Sequence, residues 1–154
     1  ARGAPQELAG NVLMTKLIAA VAGCGLLGLA VSISAHHGDA GRFEDDVTTI
    51  TGSVVALQLI NPHASILMSV TNDDGATVTW HVEMEAPQRL QREFGWNRTT
   101  VTPGTTISVT GRRVKSGAPN INVTERARIF IVDGCEEIYH SRDLEPLTES
   151  PDAC

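Results

Sequence analysis

Several chemical signatures are missing from this chain. No C-x-x-C pair occurs among its three cysteines, which removes the usual zinc-ribbon and dithiol-redox frameworks. No glycine-rich phosphate loop and no G-x-S-x-G elbow is present, so nothing marks a nucleotide cradle or an acyl-transfer nucleophile. Repeats and low-complexity segments are absent too. Positive charge is scarce: 12 Lys+Arg face 18 Asp+Glu, a net charge of −6. That balance disfavours nucleic acid and anionic lipid as primary partners.

The most pronounced feature is an apolar run, residues 17–33, behind Met14 and Lys16. A single cation, an apolar stretch and then small residues (Ser34, Ala35) is the order of a secretory signal over residues 14–35. The run is also long enough for an uncleaved anchor, which would be the chain's one attachment to a membrane. "VAGC", residues 21–24, resembles a lipoprotein box, but the apolar run continues past Cys24, which reads as a small residue of the signal. Residues 1–13 are read as an upstream extension or cloning scar. The expected address is periplasmic or secreted. Cys135 and Cys154 are then an even pair in an oxidising compartment, where a disulfide worth about 3 kcal/mol is the first reading.

Beyond the leader, residues 36–134 are read as one domain and residues 135–154 as a polar, irregular tail. Residues 47–59 are rich in β-branched side chains around Gly52, which suggests a strand with a bulge or bend there. Asn61-Pro62 breaks it. Residues 64–71 and 77–84 alternate as strands around "NDDG". A three-residue loop, Asp73-Asp74-Gly75, keeps apolar opposite apolar and sets His81 facing Leu67 and His63 facing Glu85. "APQRLQREFG" changes period: Pro87 suits a first helical turn, Leu90 and Phe94 share a face, and Gly95 suits the C-cap. Residues 102–114 and 121–134 return to strand. Three strands, a helix and two strands predict a mostly β fold, a small five-stranded OB-like Greek-key barrel. A sandwich is the alternative, with few strands to fill it. Trp80, Val82, Leu90 and Phe94 are expected to be buried together, and Trp96 to pack in the core or against the helix.

Short motifs follow one another in a fixed order: His36-His37, Thr51-Gly52, Asn61-Pro62-His63, the Gly75 turn, Trp80 with Glu83, and Pro87 with Leu90. Gly95-Trp96, Pro103-Gly104 and Val109 with Gly111 complete the series. It resembles the exported bacterial family of domain of unknown function 6152 over residues 36–134. The resemblance implies export and an OB-like fold, and no established activity. The chain departs from the family's pattern at Gly38-Asp39, where Ser and an aromatic are usual, and in its longer, cysteine-ending tail.

The residues that could carry chemistry are histidines. Signal cleavage after Ala35 would make His36 the N-terminus, whose α-amine and imidazole chelate one metal; cleavage after Ser34 would leave Ala35 in front. With one further imidazole, an all-nitrogen tetragonal site results, and such sites favour Cu(II). The candidate metal residues are His36, His37, His63, His81 and Glu83. His63 and His81 fall roughly 13 Å apart along the ribbon, four residues at ~3.3 Å each, so one ion cannot take both without adjustment. A histidine after Asn-Pro equally suits a turn residue bonded to backbone, and paired histidines after a signal also suit a solvated start. Arg112, Arg113, Lys115, Arg126 and Arg128 would gather on the last strands, as an anion site or as a charged face that blunts strand edges. Glu83 and Glu85 share a strand face, but nothing splits them into acid and base. Asn97-Arg98-Thr99 and Asn122-Val123-Thr124 match glycosylation sequons. His140 is given no role.

These observations point to a small exported binding domain and not to an enzyme, with copper as the metal its histidines favour. The other reading is an interaction module for an envelope protein. Expressed in a Gram-negative host, the chain should be recovered from the periplasm without residues 1–35. N-terminal sequencing and intact mass check this; full-length protein in the cytoplasm or stable in the inner membrane contradicts it.

Overall fold

A computed structural model describes residues 41–148, which lie within one compact unit, Gly41–Cys154. The expected leader, Cys24, His36, His37 and Cys154 lie outside the described residues. The elements are β1 (Phe43–Gln58), β2 (Ser65–Thr71), β3 (Thr77–Glu83), α1 (Pro87–Phe94), β4 (Thr106–Val114), β5 (Asn120–Asn122), β6 (Arg128–Ile131) and β7 (Glu136–His140).

β1 is long because it serves two partners. Val47 to Ser53 pair antiparallel with β4, from Val47↔Arg112 to Ser53↔Thr106. Ser53 to Gln58 pair antiparallel with β2, from Ser53↔Ser69 to Gln58↔Ser65. β2 pairs with β3, β3 runs parallel to β5, and β5 returns to β4. The ring β1-β2-β3-β5-β4 therefore closes through the β1–β4 ladder. This is the expected OB-like barrel of five strands, with one short helix between the third and fourth. β6 and β7 add a hairpin outside the ring, on the edge of β4.

Closure depends on two places where backbones come too close for a side chain. A Cβ on Gly52 would sit 2.3 Å from the Ser69 carbonyl oxygen, and one on Gly111 would sit 2.5 Å from that of Asn122. Gly52 is thus a crossing point, where β1 leaves β4 for β2. The bulge expected at Gly52 comes further on, where the β1–β2 register shifts between Val54 and Ala56.

Alternation places the core. Ile50 and Val54 of β1, Ile66 and Met68 of β2, Trp80 and Val82 of β3, and Ile107 and Val109 of β4 are buried together. The β2–β3 register is the one derived from the loop: Leu67 faces His81, and Asn72 N–H donates to the Ala76 carbonyl across Asp73-Asp74-Gly75. Gly75 takes φ 83°, the left-handed geometry this loop needs. α1 has Pro87 in its first turn, and its last turn closes through Gly95 N–H to Gln91 O at 3.0 Å and Trp96 N–H to Leu90 O at 3.2 Å. Leu90 and Trp96 are buried. Phe94, expected in the core with Trp80, is only partly buried; its ring lies 5.1 Å from that of Tyr139.

The C-terminal third departs from expectation. Residues 121–134 are not one strand but β5, a turn and β6. Asn122 Oδ1 accepts from Thr124 N–H (2.9 Å) and Thr124 Oγ1 (2.6 Å), which turns the chain, and Arg126 follows at φ 50°. The segment expected to be an irregular tail opens with β7. Its Tyr139 is fully buried and donates its hydroxyl to the Val123 carbonyl at 2.8 Å. The Trp96 indole donates to the Ile138 carbonyl at 2.8 Å. β7 thereby ties the chain after α1 to the chain after β5.

Gly52→Ala should destabilise the protein by about 2 kcal/mol or more, because the new methyl meets rigid backbone. The melting temperature should fall by roughly 10 °C, at several degrees per kcal/mol for a domain of this size. Thr51→Ser, on the exposed face beside it, should stay within about 0.5 kcal/mol. Thermal unfolding followed by circular dichroism checks both.

Candidate functional site

Three of the candidate metal residues are described, and the barrel does not bring them together. His63 precedes β2 at an exposed position, and its Nδ1–H donates to the Met84 carbonyl at 3.2 Å. A carbonyl only accepts, so the proton sits on Nδ1 and the Nε2 lone pair is left to solvent. His81, on β3, is half-buried and has its Nδ1 3.2 Å from the Asn120 side-chain amide. Glu83 forms an ion pair with Arg42 at 3.2 Å. Its charge is therefore already answered from just before β1. Among the described residues, no group of three or more His, Cys, Asp or Glu is arranged to hold a metal ion.

Glu83 and Glu85 each have a guanidinium of their own. Glu85 pairs with Arg89 of α1, and Arg89 Nε donates to Glu93 Oε2 at 2.6 Å. Arg89 is only 6 % exposed, the one buried charged side chain among the described residues, and sequence reasoning passed over it. Its signal was present: Glu85, Arg89 and Glu93 follow at four-residue spacing, one helical turn apart. Burial pulls the Arg89 pKa down, but the Glu93 hydrogen bond and the Glu85 charge outweigh it, and the net shift is upward. Burial, assisted by the Glu85 charge, pushes the nearby Tyr139 hydroxyl well above its ordinary range. Tyr139 stays a neutral donor.

The expected basic face is mostly consumed by the chain itself. Arg112 bonds Glu125 at 2.7 Å and the Glu44 carbonyl at 2.8 Å. Arg126 reaches the Asp45 carbonyl, and its N–H is held by Asp143. Arg128 pairs with Glu137 and the Glu145 carbonyl. Arg113 instead lies over the Trp80 ring, 4.8 Å from its centroid. The two sequon-like triplets are turns: Asn97 Oδ1 accepts from Thr99 N–H at 2.8 Å, as Asn122 does from Thr124.

Residues 22–122 match the family of unknown function DUF6152. That span is well over half of the chain. The protein belongs to DUF6152. No curated protein matches it. The DUF6152 match takes in all five barrel strands and α1 and stops at the end of β5. The β6–β7 hairpin lies beyond it, yet Tyr139 and the Trp96–Ile138 bond make that hairpin part of the core.

Two carboxyls, near α1 and near the hairpin, contribute to the acid response of this DUF6152 domain. Hydrogen bonds from Arg89 and Arg92 hold the Glu93 carboxyl below its ordinary pKa. The Ser141 hydroxyl and the Arg126 N–H do the same for Asp143. Both carboxyls are more acidic in the folded chain, so the unfolded chain takes up protons first as pH falls. Their contribution is complete above about pH 5 and is lost as pH drops through the carboxylate range. Denaturant midpoints between pH 7 and pH 3 should fall accordingly. In Arg89→Met the fall should be shallower, because Glu93 loses its main partner, and the stability at pH 7 should be lower than that of the unaltered protein.

Proposed function

We propose that this chain is a small exported binding domain that holds Cu(II) at a site made by His36 and His63, and that it works by holding a ligand rather than by turning one over. The observation that carries the reading is the orientation of His63. Metal-binding imidazoles commonly give their second N–H to a backbone carbonyl, which fixes the tautomer and directs the other nitrogen outward. The Nδ1–H bond to Met84 has that form. His36, as a cleaved terminus, would add an amine and an imidazole, and nitrogen-only tetragonal sites favour copper. Export is supported by the apolar run behind Lys16 and by Cys135, which is disulfide-bonded. Disulfides persist in oxidising compartments. The expected partner, Cys154, lies outside the described residues.

The test compares proteins that start at His36 and at Ala35, each with and without His63→Ala. Retaining Ala35 turns the His36 amine into an amide and opens a different copper chelate through His37, so spectra must be compared as well as affinities. For the His36 form, His63→Ala should change the copper electron-spin spectrum and weaken binding at least about ten-fold. Loading should fall as pH drops below about 6, because amine and imidazole ligands bind only when deprotonated. An unchanged spectrum in His63→Ala would remove His63 from the site.

A further inference from the structure

The β1–β4 ladder is interrupted once. It runs in register from Ser53↔Thr106 to Val47↔Arg112 and resumes at Phe43↔Val114. Three residues, Glu44, Asp45 and Asp46, therefore stand opposite one, Arg113. Two guanidiniums hold the backbone of this bulge: Arg112 on the Glu44 carbonyl and Arg126 on the Asp45 carbonyl. Bulges of this kind re-aim side chains. The result here is an open cleft of about 390 Å³ lined by Glu44, Asp46 and Thr48 of β1 and by Arg113 and Lys115 at the end of β4.

The charges in this cavity are unusual for this chain. Arg112, Arg126 and Arg128 are all engaged by carboxylates or carbonyls. Among the described residues, the side chains of Glu44, Asp46, Arg113 and Lys115 make no ion pair, although they line one space. The Arg113 guanidinium is held in place by the Trp80 ring, and Trp80 is only 6 % exposed. A guanidinium fixed in this way presents a planar fork suited to a carboxylate. Two carboxylates and two cations thus line one cleft with no ion pair between them among the described residues.

A molecule with only negative charge would meet Glu44 and Asp46, and one with only positive charge would meet Arg113 and Lys115. A molecule carrying both charges satisfies both walls. The volume lies within the range of small-ligand sites. We propose that this cavity binds a small zwitterion of the amino-acid or short-peptide class, its carboxylate on Arg113 and Lys115 and its ammonium between Glu44 and Asp46. The proposal uses none of the histidines and stands or falls without them.

The probes are glycylglycine, N-acetylglycine, which keeps only the negative charge, and glycinamide, which keeps only the positive one. Each is titrated into the purified, nitrogen-15-labelled protein at low ionic strength. Glycylglycine should shift the amide resonances of Thr48, Lys115 and Gly117 saturably. Both single-charge probes should bind at least about ten-fold more weakly. Lys115→Gln and Asp46→Asn, at exposed positions, should each cost a similar factor while the thermal midpoint stays within a few degrees. No saturable shift from glycylglycine at these residues, equal binding by either single-charge probe, or unaltered binding in both variants would overturn the proposal.

Discussion

The chain can close into a barrel only where two backbones pass with no side chain between them. Gly52 approaches the Ser69 carbonyl at one seam and Gly111 approaches that of Asn122 at the other. At the first seam β1 changes partner, and Ser53 stands in both ladders. At the second, β4 meets β5, which in turn runs parallel to β3. A closed ring leaves few free edges, and it concentrates a small core inside a sheet that would otherwise have one wet face. It also fixes what lies at its ends and on its outer face.

One consequence is the separation of the polar groups on the β2–β3 ribbon. His81 and Glu83 lie on β3, His63 and Glu85 lie just beyond the ladder, and each finds its own partner. Met84 takes His63, Asn120 takes His81, Arg42 takes Glu83 and Arg89 takes Glu85. Among these, only His63 is bonded in a way that leaves a defined lone pair in water. The other consequence is at the start of β1, where the bulge of Glu44–Asp46 opens a cleft lined by charges of both signs.

The sequence was most legible where local chemistry and tertiary need agree. A loop of Asp73, Asp74 and Gly75 fixed the hairpin register, because only one register keeps Ile66, Met68 and Val70 on the face of Trp80 and Val82. Pro87, Leu90 and Gly95 marked a helix that the barrel also requires. The reading failed where a side chain decides the backbone. Asn122 and Thr124 look like a sequon within a strand, but together they make the turn that ends β5. β7 was missed because its apolar content is only Ile138 and Tyr139, behind two glutamates, and its worth lies in distant partners, Val123 and Trp96. Arg89 was missed because a buried arginine is visible only once Glu85 and Glu93 are seen to surround it. The bulge at residues 44–46 was illegible for a similar reason: what holds it is Arg112 and Arg126, more than sixty residues away.

Closure through the parallel pair is the claim on which these placements rest, and amide hydrogen exchange reads it directly. His81 N–H donates to the Pro119 carbonyl and Val123 N–H to that of Glu83, each across the β3–β5 seam. In a closed barrel these two amides open only with the whole domain and should be as protected as the β2–β3 amides of Met68 and Trp80. Exchange at the seam at the rate of the exposed loops, while β2–β3 stays protected, would mean an open sheet and would contradict the account.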